Sequence, residues 1–132
     1  YVHDELGFNY RMPNINAAVG VAQIEKLNEI LYHKKVVAQK YKEYFEAINI
    51  RFLQPINGTR SNYWLNGIVL DNRKERDAFL EITNANGVLT RPIWNLLSTL
   101  PMYKDCDADN LKNSKWLADR VVNLPSSVPK LD

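Results

Sequence analysis

Cysteine is nearly missing from this sequence: Cys106 is the only one in 132 residues. No intrachain disulfide can form, which fits a reducing, cytoplasmic setting. Metal ligation is equally short of material. His3, His33 and the one thiol are scattered far apart, whereas a structural zinc site draws four such ligands together. Long apolar runs are absent, nothing approaches the ~20 residues of a membrane span, and no signal-peptide pattern is present. One-sided charge is lacking too. Seventeen basic and fifteen acidic side chains leave a formal +2, too balanced to point to nucleic acid or a membrane surface. There is no initiator methionine either; the chain opens at Tyr1-Val2-His3, and we read it as a piece of a longer protein.

What remains is an ordinary globular composition, 45% hydrophobic and 24% charged, in one domain able to bury roughly two-thirds of its unfolded surface. Pro13 and Asn14 form a helix entrance, proline suiting the first turn and asparagine capping it. From there Gly20, Ile24, Leu27 and Leu31 recur at helical spacing, and Val37, Tyr41, Tyr44 or Phe45, and Ile48 continue the stripe. This predicts one long amphipathic helix over 14–48, or two nearly collinear ones, with a polar face that includes His33, Lys34 and Lys35. Residues 48–55 and 61–70 read as strands separated by an Asn-Gly-Thr turn at 57–59. Asn72 and Glu75 resemble a capping box, opening a helix that stops at Asn86-Gly87. Residues 88–94 read as a third strand, followed by an irregular stretch over 93–108. A last helix begins at Asp109 or Asn110 and runs through Leu111, Leu117 and Val121. The order predicts an α+β fold, with helices on one face of a small sheet.

Catalytic machinery is hard to assemble from these residues. A nucleophilic triad needs a positioned base, yet His3 sits near the start of the chain and His33 on a charged, solvated helix face. No glycine-rich phosphate loop is present. Asp105, Asp107 and Asp109 lie together in a loop, where helix capping explains them. The residues supply binding groups without a self-contained catalytic centre.

Four stretches carry a resemblance: HDELGFNYRMPNINAAVGVAQIEKL at 3–27, SNYWLNGIVL at 61–70, GVLTRPIWNLLSTLPMY at 87–103 and LADRVVNLPSS at 117–127. Together they resemble the C-terminal part of nucleotide-sugar aminotransferases of the DegT–DnrJ–StrS type, most of all the branch serving legionaminic-acid-type amino sugars. The resemblance implies the small domain of a pyridoxal-phosphate enzyme of aspartate-aminotransferase fold (fold type I), with a long N-terminal helix, a small antiparallel-type sheet and two further helices. Residues 1–13 would link it to a large domain, and 14–132 would form the small domain. The lysine that carries the cofactor would lie upstream of Tyr1, so no lysine of this sequence takes that role. The implied reaction moves an amino group, with glutamate as donor, onto a 4-keto-6-deoxy nucleotide sugar in a homodimer. Two other readings stand beside it: a sugar dehydratase of the same fold with histidine in place of the lysine, and a non-catalytic dimerisation or interaction domain.

The resemblance also gives GFNYRMPN, residues 7–14, a purpose. In relatives the asparagine of this motif reaches the neighbouring subunit's cofactor phosphate, and that role falls on Asn9; the alternative is a plain turn residue. Arg11 either pairs with the substrate diphosphate or locks the loop through backbone carbonyls. Arg91 and Trp94 are candidates for holding the sugar or nucleotide by bidentate hydrogen bonding and stacking; otherwise they are a surface arginine and a core tryptophan. Tyr63 and Trp64 are assigned to sheet packing and Cys106 to a buried or indifferent thiol. Ser98 departs from the histidine many relatives carry there.

Overall fold

A computed structural model describes residues 11–103 and 105–128. Asn9, His3 and most of the 1–13 segment lie outside the described residues. The first helical region divides in two, α1 (Asn14–Glu25) and α2 (Leu27–Ala47), with Lys26 between them leaving helical geometry at φ −100° and ψ 5°. Pro13 rather than Asn14 is the capping position of α1, with extended backbone and no side-chain cap; asparagine is already inside the first turn. Strand β1 (Arg51–Phe52) and strand β2 (Asn66–Val69) follow, then α3 (Arg73–Ala85), β3 (Arg91–Pro92), two short 3₁₀ turns at Leu97–Thr99 and Pro101–Tyr103, α4 (Lys112–Ala118) and β4 (Val121–Leu124).

The segment read as the end of the last helix is therefore a strand, and a central one. Among the described residues the sheet is four-stranded and antiparallel throughout, in the order β1-β2-β4-β3. Helix α4 starts at Lys112, later than expected, after Leu111 adopts a left-handed φ of 50°. It is over by Ala118. Adjacent β-branched Val121 and Val122 favour a pleated, packed surface over another helical turn, and Ile68↔Val122 and Val69↔Val121 become direct cross-strand partners.

Paired residues share a face of the sheet. Phe52, Ile68 and Val122 therefore point the same way, joined two residues on by Leu70 and Leu124. Against this face pack Ala38 and Phe45 from α2, with Tyr41 beside them and Phe79 and Leu80 from α3. The Phe45 and Phe79 rings lie 6.5 Å apart, joining the two helices over the sheet. Of the two residues left open in the stripe, Phe45 is buried and Tyr44 is 62% exposed. The strand expected over 61–70 is shorter than that. Only 66–69 pair as strand, and Asn66 through Leu70 are all buried.

Two polar-face assignments change. The Lys34 ammonium donates to the Ser126 carbonyl at 2.6 Å, and His33 is half-buried with its ring edge-on to Tyr32. Helix α1, conversely, buries nothing: Ile15, Val19 and Ile24 of its apolar set are all exposed. Cys106 is exposed rather than buried. No helix among the described residues is long and apolar enough to cross a membrane, and no cluster of three or more metal-ligating side chains occurs among them.

Candidate functional site

The local signals at α3 are fulfilled, and they set up the site. The Glu75 N–H donates to the Asn72 side chain at 3.0 Å, and the Asn72 amide donates back to the Glu75 carboxylate at 3.1 Å. At the other end Gly87 takes φ +78°, and Val88 N–H reaches the Thr83 carbonyl at 2.9 Å while Gly87 N–H reaches Asn84 at 3.1 Å. This pair of bonds is the Schellman arrangement. It reverses the chain so that Thr90, 3% exposed, lies back against the helix end. There the Thr83 and Thr90 hydroxyls meet at 2.5 Å, and the Asn84 amide donates to the Thr90 carbonyl at 3.0 Å and to its hydroxyl at 3.1 Å.

Strand β3 leaves this anchor directly. Arg91 pairs in register with Asn123 and Pro92 with Val122. The Ile93 N–H donates to Val121 at 3.4 Å, carrying the chain outward to Trp94. Across from it, Trp64 is delivered by two turn-forming side chains. Ser61 accepts from the Tyr63 N–H and Asn62 from the Trp64 N–H, both at 3.0 Å, with Tyr63 at φ +51°. The two indoles come together with ring centroids 6.1 Å apart and planes tilted by 31°. Both stay open to water, Trp64 65% and Trp94 64% exposed.

Both tryptophans line an open cleft of about 560 Å³, with Arg91, Asn95 and Asn123 among its walls. Among the described residues Arg91 is its only charged lining residue. Two sequence-chosen residues, Arg91 and Trp94, thus share one recess, and Trp94 is not a core residue. Trp64, assigned to sheet packing, is the residue that sequence reasoning missed; the Ser61-Asn62 pair before it is the signal that takes it out of the strand. Tyr63 does pack against the core. Arg11 is exposed just ahead of α1 and does not line this cleft. Ser98 lines a different cavity of about 380 Å³, together with Leu97, Tyr103 and Cys106.

A layer of helices on a small antiparallel sheet, with a cationic aromatic cleft at one edge, defines an α+β domain. The family model described as the DegT/DnrJ/EryC1/StrS aminotransferase family matches residues 1–131, and the chain belongs to that family. It is 37% identical over 131 residues to the GDP-perosamine synthase of Vibrio cholerae, covering 96% of this chain and 35% of that protein. Among solved structures it resembles Helicobacter pylori PseC, an aminotransferase involved in the biosynthesis of pseudoaminic acid. The TM-score is 0.81 at 18% identity, over 96% of this chain and 35% of the other. It also resembles the Escherichia coli GDP-4-keto-6-deoxy-D-mannose-3-dehydratase with bound hydrated pyridoxal phosphate (TM-score 0.78, 20% identity, 95% and 34% covered). The fold is accordingly that of a domain of the sugar aminotransferases, and the chain spans about a third of the length of the relatives it matches.

Enzymes of this family use pyridoxal phosphate. The tryptophan cleft does not fit that group: the cofactor needs a lysine, and among the described residues none lines this cleft. The Lys34 ammonium is committed to the Ser126 carbonyl, and Lys35 lines a separate cavity beside Tyr32 and Arg60. No chemical step on the cofactor is derived from this chain.

Proposed function

We propose that this chain is the C-terminal small domain of a pyridoxal-phosphate-dependent aminotransferase that acts on a nucleotide sugar. The substrate is a 4-keto-6-deoxy nucleotide sugar and the donor is glutamate; the products are the 4-amino sugar and 2-oxoglutarate. The observation that carries this reading is the meeting of Arg91 and Trp94 in one open cleft whose lining, among the described residues, holds no carboxylate. Guanidinium pairs bidentately with phosphate oxygens, and the indole offers a stacking surface, so a diphosphate-linked ligand suits both groups at once.

In this reading residues 1–13 link the domain to a large domain that supplies the cofactor lysine, and 14–132 form the domain itself. Asn9 holds the phosphate of the neighbouring subunit's cofactor in a cytoplasmic homodimer. Arg11 pairs with the substrate diphosphate or fixes the loop through carbonyls. The exposed apolar side chains of α1, Ile15, Val19 and Ile24, support the same arrangement, because an apolar helix face that buries nothing within its own domain calls for a partner surface. Here that partner is the large domain.

The test begins on the full-length protein: load it with pyridoxal phosphate, reduce with borohydride, and locate the labelled residue by mass spectrometry. A labelled lysine upstream of Tyr1, with glutamate-dependent amination of a 4-keto nucleotide sugar, is the expected result. A label on a lysine of this chain, or turnover by residues 1–132 alone, overturns the reading. Loss of a sugar hydroxyl without gain of nitrogen replaces it with the dehydratase.

A further inference from the structure

We infer that Trp64 and Trp94 together form a one-sided stacking surface for the base of a nucleoside diphosphate, with Arg91 taking the diphosphate; the inference rests on the nucleotide-sugar reading above. Trp64 then becomes a substrate-positioning residue of the cleft.

Three observations lead there. First, the geometry excludes a clamp. A flat ring inserted between two indoles needs planes about 7 Å apart, twice the ~3.5 Å carbon–carbon contact. Centroids 6.1 Å apart at a 31° tilt leave no such gap. A flat ligand ring therefore has to lie against the pair from outside rather than between the two indoles. Second, both tryptophans are largely open to water. Trp116, the third tryptophan of the sequence, is treated differently: the Arg120 guanidinium covers its ring at 4.7 Å. Third, the only charge in the lining among the described residues is the Arg91 guanidinium, held on the strand that leads directly to Trp94.

A planar base satisfies these conditions better than a sugar ring does. Base stacking on aromatic side chains tolerates many sequences because every base has a π-face. A pyranose can lay only the C–H patch of one chair face on an indole, whereas a purine presents its whole flat π-face to the pair. The sugar would then extend past Arg91, away from the tryptophan pair.

The experiment uses the full-length protein loaded with pyridoxal phosphate, with GDP and inorganic pyrophosphate as probes in separate calorimetric titrations. Trp64→Leu is expected to weaken GDP about tenfold and to leave pyrophosphate unchanged, with Trp64→Phe recovering most of the loss. The visible absorption of the bound cofactor stays as in the parent. Unchanged GDP affinity in Trp64→Leu overturns the inference, as does equal weakening of GDP and pyrophosphate. In either case a borohydride-labelled lysine and weakened GDP binding in Arg91→Ala would still stand for the aminotransferase reading, so the two failures are separable. Altered sedimentation of Trp64→Leu with intact GDP binding would also overturn it and assign the pair to a contact between protein copies.

Discussion

The backbone N–H of Asn66 donates to the Ser126 hydroxyl at 2.8 Å, across sixty residues of sequence. The same hydroxyl accepts from the Asn66 amide at 3.1 Å and donates to the Leu124 carbonyl at 2.8 Å. One small side chain therefore closes the end of β2 against the segment leaving β4. Both residues are buried, and the Asn66 side-chain oxygen Oδ1 finds no hydrogen-bond partner among the described residues. This site has little polar satisfaction to spare. Ser126→Ala leaves buried donors unmet, so unfolding in urea is expected to show a loss of about 2 kcal/mol.

Gly67 sits on the opposite face of β2, and here the missing side chain matters. A Cβ built at this position would lie 2.9 Å from Leu53 Cδ1 and 3.5 Å from the Val122 carbonyl oxygen. Leu53 can swing away only at a cost in packing. Gly67→Ala is expected to destabilise the fold by about 1 kcal/mol. In a Leu53→Ala background the penalty should vanish, and a double-mutant cycle reads that coupling directly.

Tyr41 gives the fold a pH dependence. Its hydroxyl donates to the Pro125 carbonyl at 2.9 Å, and desolvation by burial raises its pKa above the ordinary 10.0. The unfolded chain thus releases this proton at lower pH than the folded one. Its contribution to stability is full below about pH 10, and it is lost as pH climbs from there through the raised folded value. Denaturation midpoints measured at pH 8 and above pH 10 should fall with pH, and Tyr41→Phe should flatten the fall. A titration at the ordinary value by ultraviolet absorbance, with no difference in slope, would contradict this.

The features legible from the sequence are those whose causes are local. Asn72 with Glu75, and Asn86-Gly87, mark the two ends of α3 because capping is settled within a few residues. The β4 strand was not legible. Leu111, Leu117 and Val121 recur at a spacing that suits a helix, while the partners that make Val121–Leu124 a strand lie more than fifty residues away in β2. The two-residue strands β1 and β3 are likewise defined by pairing rather than by composition. The split at Lys26 has no glycine or proline to announce it. At the site, Arg91 and Trp94 are near neighbours in the chain and were found together. Trp64 joins them only through the fold.

Arg91 separates binding from folding. It is exposed, so Arg91→Ala should change stability by no more than about 0.5 kcal/mol. If the guanidinium holds a diphosphate in ground state and transition state alike, the substitution raises KM for the nucleotide sugar about tenfold and leaves kcat nearly unchanged. Steady-state kinetics of the full-length enzyme, with the amino donor saturating, provide the measurement. A fall in kcat at constant KM would place Arg91 elsewhere in the reaction.

Thr90 tests whether the anchor behind β3 governs the cleft in front of it. Its hydroxyl meets Thr83 at 2.5 Å and receives the Asn84 amide at 3.1 Å, and Arg91 is the next residue. Thr90→Val keeps nearly the same volume, so its effect reports the hydroxyl. Removing it takes one partner from the Thr83 hydroxyl, which keeps its bond to the Phe79 carbonyl at 2.7 Å, and weakens the hold of α3 on the start of β3, an expected loss of about 1 kcal/mol. Loosening that start should let Arg91 and Trp94 drift, raising KM less than Arg91→Ala does. Thr90→Ser restores the hydroxyl and should recover both quantities. If Thr90→Val lowers stability while KM stays at the parent value, the cleft is held by the β3–β4 pairing alone, and α3 contributes to the fold without tuning the site.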